Sequence, residues 1–167
     1  KTLVELMDGD ITLVSEENKG STFYFKIPFV EKKMNIEREA EESKKQLNWK
    51  NKTVLIVEDD HTSFLYFKNL LEPTSIKILH AENAEKAWEL FYNEDIDLIL
   101  MDIRLEGENG LDLTKRIREI NKSIPIIAQT AYALSDDRKK CLEAGCDDYI
   151  TKPIETEDLF EKINRFI

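Results

Sequence analysis

No stretch of this chain approaches the roughly 20 consecutive apolar residues that a bilayer-spanning helix needs, and its first residues lack the pattern of a secretory signal. A membrane connection is therefore expected only through parts upstream of Lys1, and the piece itself is expected to be cytoplasmic. Cysteine is scarce: Cys141 and Cys146 are the only two. Their spacing suits no metal site, and two reduced, half-buried thiols are expected rather than a disulfide. A basic stripe is missing as well. Residues 52–167 hold 15 Lys and Arg against 24 Asp and Glu, and residues 1–51 hold 9 against 10; the nets of −9 and −1 give the chain's −10. An acidic surface without a basic stripe argues against nucleic acid as a partner of this piece. What is present, 41% hydrophobic and 35% charged residues over 167 positions, supports a real core in one domain with something attached.

The central feature is Leu98-Ile-Leu-Met-Asp102, four apolar residues that end in one carboxylate. Such a run suits a strand buried on both faces, and an aspartate at its carboxyl end stands at the rim where open parallel sheets bind ligands. Three other runs aim at the same rim. Thr53–Val57 ends in Glu58-Asp59-Asp60, Pro125–Ala131 carries Thr130, and Tyr149-Ile-Thr-Lys-Pro153 delivers Lys152. From Lys52 onward, strands are expected at 53–57, 76–80, 97–102, 125–130 and 147–150. The helices between them carry apolar stripes: Ala84, Ala87, Trp88 and Phe91; then Leu113, Ile117 and Ile120; then Leu159, Phe160, Ile163 and Phe166. Ser135 followed by Asp136 and Asp137 is the expected cap of the fourth helix. Strands alternating with helices make 52–167 a complete α/β domain, a doubly wound five-stranded parallel sheet.

The front of the chain reads differently. Residues 1–8 look like the last turns of a helix stopped by Gly9. Ile11–Ser15 and Ser21–Phe29 read as a hairpin, the second strand half-buried with Phe23, Phe25, Ile27 and Phe29 on one face. An isolated hairpin is marginal in water, so residues 1–30 are expected to be the tail of a larger α+β domain. Residues 31–51 form a charged linker, in which Ile36, Ala40 and Leu47 suggest one helical face and Glu41 pairs with Lys45.

The rim residues define a chemistry. Glu58, Asp59 and Asp102 bring three carboxylates together, which disfavours joint ionisation unless a cation is present. Magnesium takes carboxylate oxygens, keeps several waters and shares phosphate oxygens, so Mg2+ fits. Asp102 is then placed to attack phosphorus, with Lys152 holding one phosphoryl oxygen and Thr130 donating a hydrogen bond to another.

This set resembles the receiver domain of two-component response regulators over essentially all of 52–167. Val57-Glu-Asp-Asp60, Met101-Asp102, Gly110, Thr130-Ala131 and Lys152-Pro153 all match. The resemblance implies a flavodoxin-like fold with strand order 2-1-3-4-5, and a metal held by Glu58 through water, by Asp59 and Asp102, and by the backbone carbonyl of Arg104. Asp60 is the less suited ligand. It also implies a cis Lys152-Pro153 bond, and a switch in which Thr130 moves inward and Tyr149 rotates, altering the face formed by 135–167. By the same resemblance, Arg104 and Tyr132 stand where family members control the approach of hydrolytic water, and their bulk is expected to give a long phosphoryl lifetime. Glu106 departs from the proline common in the acceptor loop.

Leu3-Val-Glu-Leu-Met-Asp-Gly-Asp-Ile11 and Lys19-Gly-Ser-Thr-Phe-Tyr-Phe-Lys-Ile-Pro28 resemble the end of the ATP-binding catalytic domain of sensor histidine kinases. That family's Asn-bearing helix, Asp-x-Gly-x-Gly loop and Gly-x-Gly-Leu lid are not in this chain, nor is its phosphodonor histidine. ATP binding is therefore not expected here. The combination resembles the C-terminal portion of a hybrid sensor histidine kinase. Its expected partners are a kinase dimerisation and phosphoacceptor domain or a histidine-containing phosphotransfer protein. Self-association, where it occurs, is expected through residues 1–30 or the 135–167 face. Two other protein classes share parts of this pattern. A haloacid-dehalogenase-type phosphatase needs a second Asp where Arg104 stands. A receiver-like binding module that takes no phosphate would not need the intact acceptor, Lys and acid pair.

Overall fold

The structure, a computed structural model, describes residues 4, 8–16, 19–28, 47–105, 107–131 and 135–167, the side chains of 135–137 excepted. The chain divides into two compact units, residues 1–41 and 42–167. The first contains an antiparallel hairpin of β1 (Asp10–Glu16) and β2 (Gly20–Lys26), in which Leu13 faces Phe23 and Ile11 faces Phe25. Val4 is helical, and its carbonyl accepts from the Gly9 N–H at 2.8 Å; the rest of the expected first helix lies outside the described residues. Two expectations are corrected. The second strand ends at Lys26 rather than Phe29, because Pro28 has no N–H to give a ladder. It is also exposed along its whole length rather than half-buried.

The second unit is the doubly wound sheet. Its elements run β3 (Thr53–Val57), α1 (His61–Leu71), a 3-10 turn (Glu72–Thr74), β4 (Lys77–Ala81), α2 (Ala84–Asn93), β5 (Leu98–Asp102), α3 (Gly110–Ile120), β6 (Ile126–Thr130), α4 (Ser135–Ala144), β7 (Asp148–Thr151) and α5 (Thr156–Phe166). All five strands are parallel in the order β4-β3-β5-β6-β7, which is 2-1-3-4-5 within the unit. Four of the strands start one residue later than the sequence pattern indicates. The Lys152-Pro153 bond is cis. Among the described residues no helix is long and apolar enough to cross a membrane.

Alternation along the strands sorts the core into two layers. Leu55, Val57, Ile99, Met101, Ile126 and Ala128 pack toward Ala84 and Ala87 of α2, Leu113 and Ile117 of α3, and Cys141 of α4. Val54, Ile56, Leu98, Leu100, Ile127 and Ile150 pack toward Phe67 and Leu71 of α1 and Leu159 and Ile163 of α5. Every residue of β5 is buried, as is every residue of β6, and truncating a β5 Leu to Ala is expected to cost about 2–5 kcal/mol. Both cysteines are free and buried; the Cys146 N–H donates to the Cys141 carbonyl at 3.0 Å where α4 ends.

Three details differ from the sequence patterns. Ile120 is 58% exposed at the last residue of α3, whose buried stripe runs through Gly110, Leu113, Thr114 and Ile117. Ser135 is the first helical residue of α4 rather than the residue before it. Residues 31–46 of the expected linker lie outside the described residues, but Leu47 and Trp49 join the core on the α1–α5 side. Trp49 is 6% exposed, packs tilted against Phe160 with ring centroids 5.9 Å apart, and donates its backbone N–H to the Thr74 carbonyl at 2.8 Å.

Candidate functional site

The alternation that builds the core also aims the rim. Glu58 follows Val57 and Asp102 follows Met101, so both turn to the layer of Ile56 and Leu100, and Lys152 does so two residues after Ile150. The three meet there. Lys152 Nζ lies 2.5 Å from Asp102 Oδ2 and 2.8 Å from Glu58 Oε2. Glu58 is 1% exposed and Asp102 6%. Glu58, Asp59 and Asp102 each offer a carboxylate oxygen, all within 4.8 Å of one another, with Asp59 the more open. Three hard oxygen donors at that spacing are a donor set that fits a magnesium ion.

Charge is unevenly tolerated at this rim. Burial pushes the Glu58 carboxyl above its ordinary value, and the Lys152 ammonium offsets only part of that. Burial works against the Lys152 ammonium too, but hydrogen bonds to Asp102 and Glu58 outweigh it and leave the group raised. Asp60 has a separate task. Its Oδ1 accepts from the Ser63 N–H at 2.7 Å as the cap of α1, which lowers its carboxyl.

The backbone after β5 turns back on Asp102. The Arg104 N–H donates to Asp102 Oδ1 at 2.8 Å, so each carboxylate oxygen of Asp102 accepts from a donor. Arg104 and Asp59 line a cleft of about 430 Å³ with Gly107 and Asn109. Asn109 caps α3 through the Leu111 N–H. Glu108 is held by Arg116, both carboxylate oxygens 2.7 Å from Nη1, and the guanidinium lies 4.4 Å above the Trp88 ring. Glu106 lies outside the described residues.

Thr130 ends β6, beside β5, and is 1% exposed. Its carbonyl accepts from the Lys152 N–H at 2.7 Å, tying the Thr and Lys strand ends together. Tyr149 is not brought to the carboxylates. It is half-buried against the α2–α4 layer, with Arg138 and Lys162 each 5.7 Å from its ring. Tyr132 lies outside the described residues.

Two residues near the site escaped the sequence patterns. Gln129, in register with Asp102, is fully buried, and neither atom of its amide finds a partner among the described residues. His80 touches the acid loop from β4, its Nε2 2.9 Å from the Glu58 carbonyl. A polar residue inside an apolar run was the available signal for Gln129. Nothing in the local pattern of β4 marks His80.

Comparison with known proteins agrees with this geometry. Residues 54–164 match the response regulator receiver domain, and the chain belongs to that family. The chain is 36% identical over 169 residues to the Autoinducer 2 sensor kinase/phosphatase LuxQ of Vibrio vulnificus. That match covers 99% of this chain and 20% of the relative, so the chain spans about a fifth of that protein's length. Among solved structures it is similar to the receiver domain of sensor histidine kinase PA1611 from Pseudomonas aeruginosa PAO1, which has a magnesium ion coordinated in its active-site cleft. That likeness has 32% identity and a TM-score of 0.64, covering 69% of this chain and 96% of the other. It is similar as well to the receiver domain of the Saccharomyces cerevisiae response regulator Ssk1, solved with the histidine phosphotransfer protein Ypd1. There the identity is 30% and the TM-score 0.66, over 69% and 88% of the two chains. The second unit is thus a receiver domain of two-component phosphorelay signalling with a flavodoxin-like sheet.

Proposed function

We propose that Asp102 accepts a phosphoryl group from a phosphohistidine, and that the chain is the C-terminal part of a hybrid sensor histidine kinase. In this division residues 1–30 end the kinase's ATP-binding domain, 31–51 link, and 52–167 receive. The observation that carries the reading is the convergence of Lys152 on Asp102 and Glu58, inside a triad of carboxylates at one sheet rim.

An Asp102 carboxylate oxygen forms the new P–O bond in line as the donor's P–N bond breaks, and the leaving imidazole nitrogen keeps the electron pair and takes a proton from solvent. Glu58, Asp59, Asp102 and the Arg104 carbonyl are the groups to hold magnesium, which when bound offsets negative charge on the phosphoryl oxygens. Lys152 exchanges a carboxylate partner for a phosphoryl oxygen, and the Thr130 hydroxyl donates to another. The Arg104 N–H, already on Oδ1, keeps the carboxylate oriented. The Tyr149 ring then moves toward the space Thr130 leaves, and the α4–β7–α5 face changes with it. Arg104 and Tyr132 shield the acyl phosphate from water and lengthen its life; losing both side chains to Ala is expected to speed hydrolysis severalfold. The partner is a histidine phosphotransfer protein or the kinase's own phosphoacceptor domain, met in the cytoplasm.

Intact mass after incubation with acetyl phosphate and magnesium tests the reading. The native chain gains one phosphoryl group, while Asp102→Asn and an EDTA-treated sample gain none. An unmodified native chain that also fails to bind beryllofluoride overturns it in favour of a phosphate-independent binding module.

A further inference from the structure

The loop that carries Glu58, Asp59 and Asp60 is held from the neighbouring strand by one side chain. His80 of β4 directs Nε2 at the Glu58 carbonyl oxygen, 2.9 Å away. A carbonyl only accepts, so this nitrogen carries the hydrogen and donates it. The imidazole plane is fixed in turn by Phe64 of α1: the ring centroids are 3.7 Å apart and the planes 6° from parallel. The Phe64 N–H donates to the Asp60 carbonyl at 3.0 Å, and the Glu58 N–H to the Ala81 carbonyl at 3.0 Å. Both ends of the three-residue acid loop are therefore tied down. The peptide that joins Glu58 to Asp59 has its carbonyl gripped by His80, and its orientation sets the point from which the Asp59 side chain starts. Neither contact is required by the sheet, since a half-buried residue at position 80 has only to fill space beside Phe64.

We infer that His80 is a positioning residue for the acidic site: its Nε2–H, with the ring clamped by Phe64, fixes the Glu58–Asp59 peptide and so sets the affinity of Glu58, Asp59 and Asp102 for a divalent cation. This rests on reading those carboxylates as a magnesium site. Groups that orient metal ligands from behind are worth about 10–100-fold in metal affinity.

The test is a magnesium titration of the full chain by calorimetry, needing no phosphoryl donor, with unfolding midpoints measured alongside in EDTA. His80→Phe keeps an aromatic ring against Phe64 and removes the N–H; His80→Gln carries an amide N–H to about the place of Nε2. Magnesium binding is expected to weaken about 10-fold or more in His80→Phe and to stay within about 3-fold of native in His80→Gln. Both variants are expected to unfold near the native midpoint. Native affinity in His80→Phe overturns the inference while leaving the magnesium reading intact. Equal losses in the two variants also overturn it, because the hydrogen bond is then not what matters. A native chain that binds no magnesium overturns both.

Discussion

The ammonium of Lys152 sits 2.5 Å from Oδ2 of Asp102, a contact made across 50 residues of sequence and almost sealed from solvent on the Asp side. Glu58 shares the same nitrogen at 2.8 Å. Two carboxylates therefore lean on one cation, and the balance between them is what the site's chemistry perturbs.

Removing that cation is expected to leave Glu58 and Asp102 facing each other unpaired. Lys152→Met should destabilise the chain by about 2–3 kcal/mol near neutral pH in EDTA, and lower phosphoryl uptake by about 100-fold. The pH dependence has a definite sign. The folded state raises the Lys152 value above its ordinary 10.5, so its stabilisation is fully present below that value and is lost as pH rises through the folded one. Urea unfolding from about pH 8 to about pH 11 should show the gap between native and variant closing only at the alkaline end. A gap that is flat across this range would falsify the ion-pair account.

Glu58 carries the same sign in a lower pH range. Burial raises its carboxyl above the ordinary 4.5, only partly offset by Lys152, so the folded state binds this proton more tightly than the unfolded chain. Stability linked to this group is highest below 4.5 and is lost as pH climbs through the raised value. Glu58→Gln is thus expected to be more stable than the native chain at neutral pH in EDTA, and to lose most of the stabilisation that magnesium gives the native chain. Lower stability in EDTA at both pH 5 and pH 8 would count against burial as the dominant cause.

The fold was legible because its central strands are buried on both faces. Leu98–Met101 and Val54–Val57 read as continuous apolar runs, and their carboxyl ends announced the rim where Glu58, Asp102 and Lys152 meet. Periodicity reports which face of an element is apolar, not what touches it from another element. It therefore missed Trp49, which lies in a charged stretch yet packs on Phe160, and His80, whose partner is a backbone carbonyl on another strand. It overextended where local chemistry intervened. The second hairpin strand stops before Pro28, and Ile120 turns outward where α3 ends. Tyr132 and Glu106 lie outside the described residues, so the expectations about them rest on resemblance alone.

Gln129 offers a stability test next to the site. Its amide is fully buried in β6 with no partner among the described residues. An unsatisfied buried amide costs about 1–3 kcal/mol. Gln129→Met, close in shape and without the amide, is expected to raise unfolding stability by about 1–2 kcal/mol while leaving phosphorylation of Asp102 possible. A loss of stability would mean the amide is satisfied in solution by a buried water.

Gly110 makes the sharpest demand on residue type. A Cβ at this position would overlap the Asp102 carbonyl oxygen and lie 3.1 Å from the Ile103 Cα, both backbone atoms that cannot swing aside. Gly107, in the same loop, has open space around it but a φ of 89°, which L residues rarely adopt. The two positions therefore separate clash from strain. Gly107→Ala is expected to cost about 1 kcal/mol and to leave magnesium-dependent phosphorylation within about 3-fold of native. Gly110→Ala is expected to cost about 3 kcal/mol. Because relief requires moving the backbone of the acceptor residue, phosphoryl uptake should fall by far more than the stability loss alone predicts, measured at a temperature where the variant is folded. Equal uptake by the two variants would show that the Asp102 backbone tolerates displacement, and that the close packing of Gly110 serves the loop rather than the acceptor.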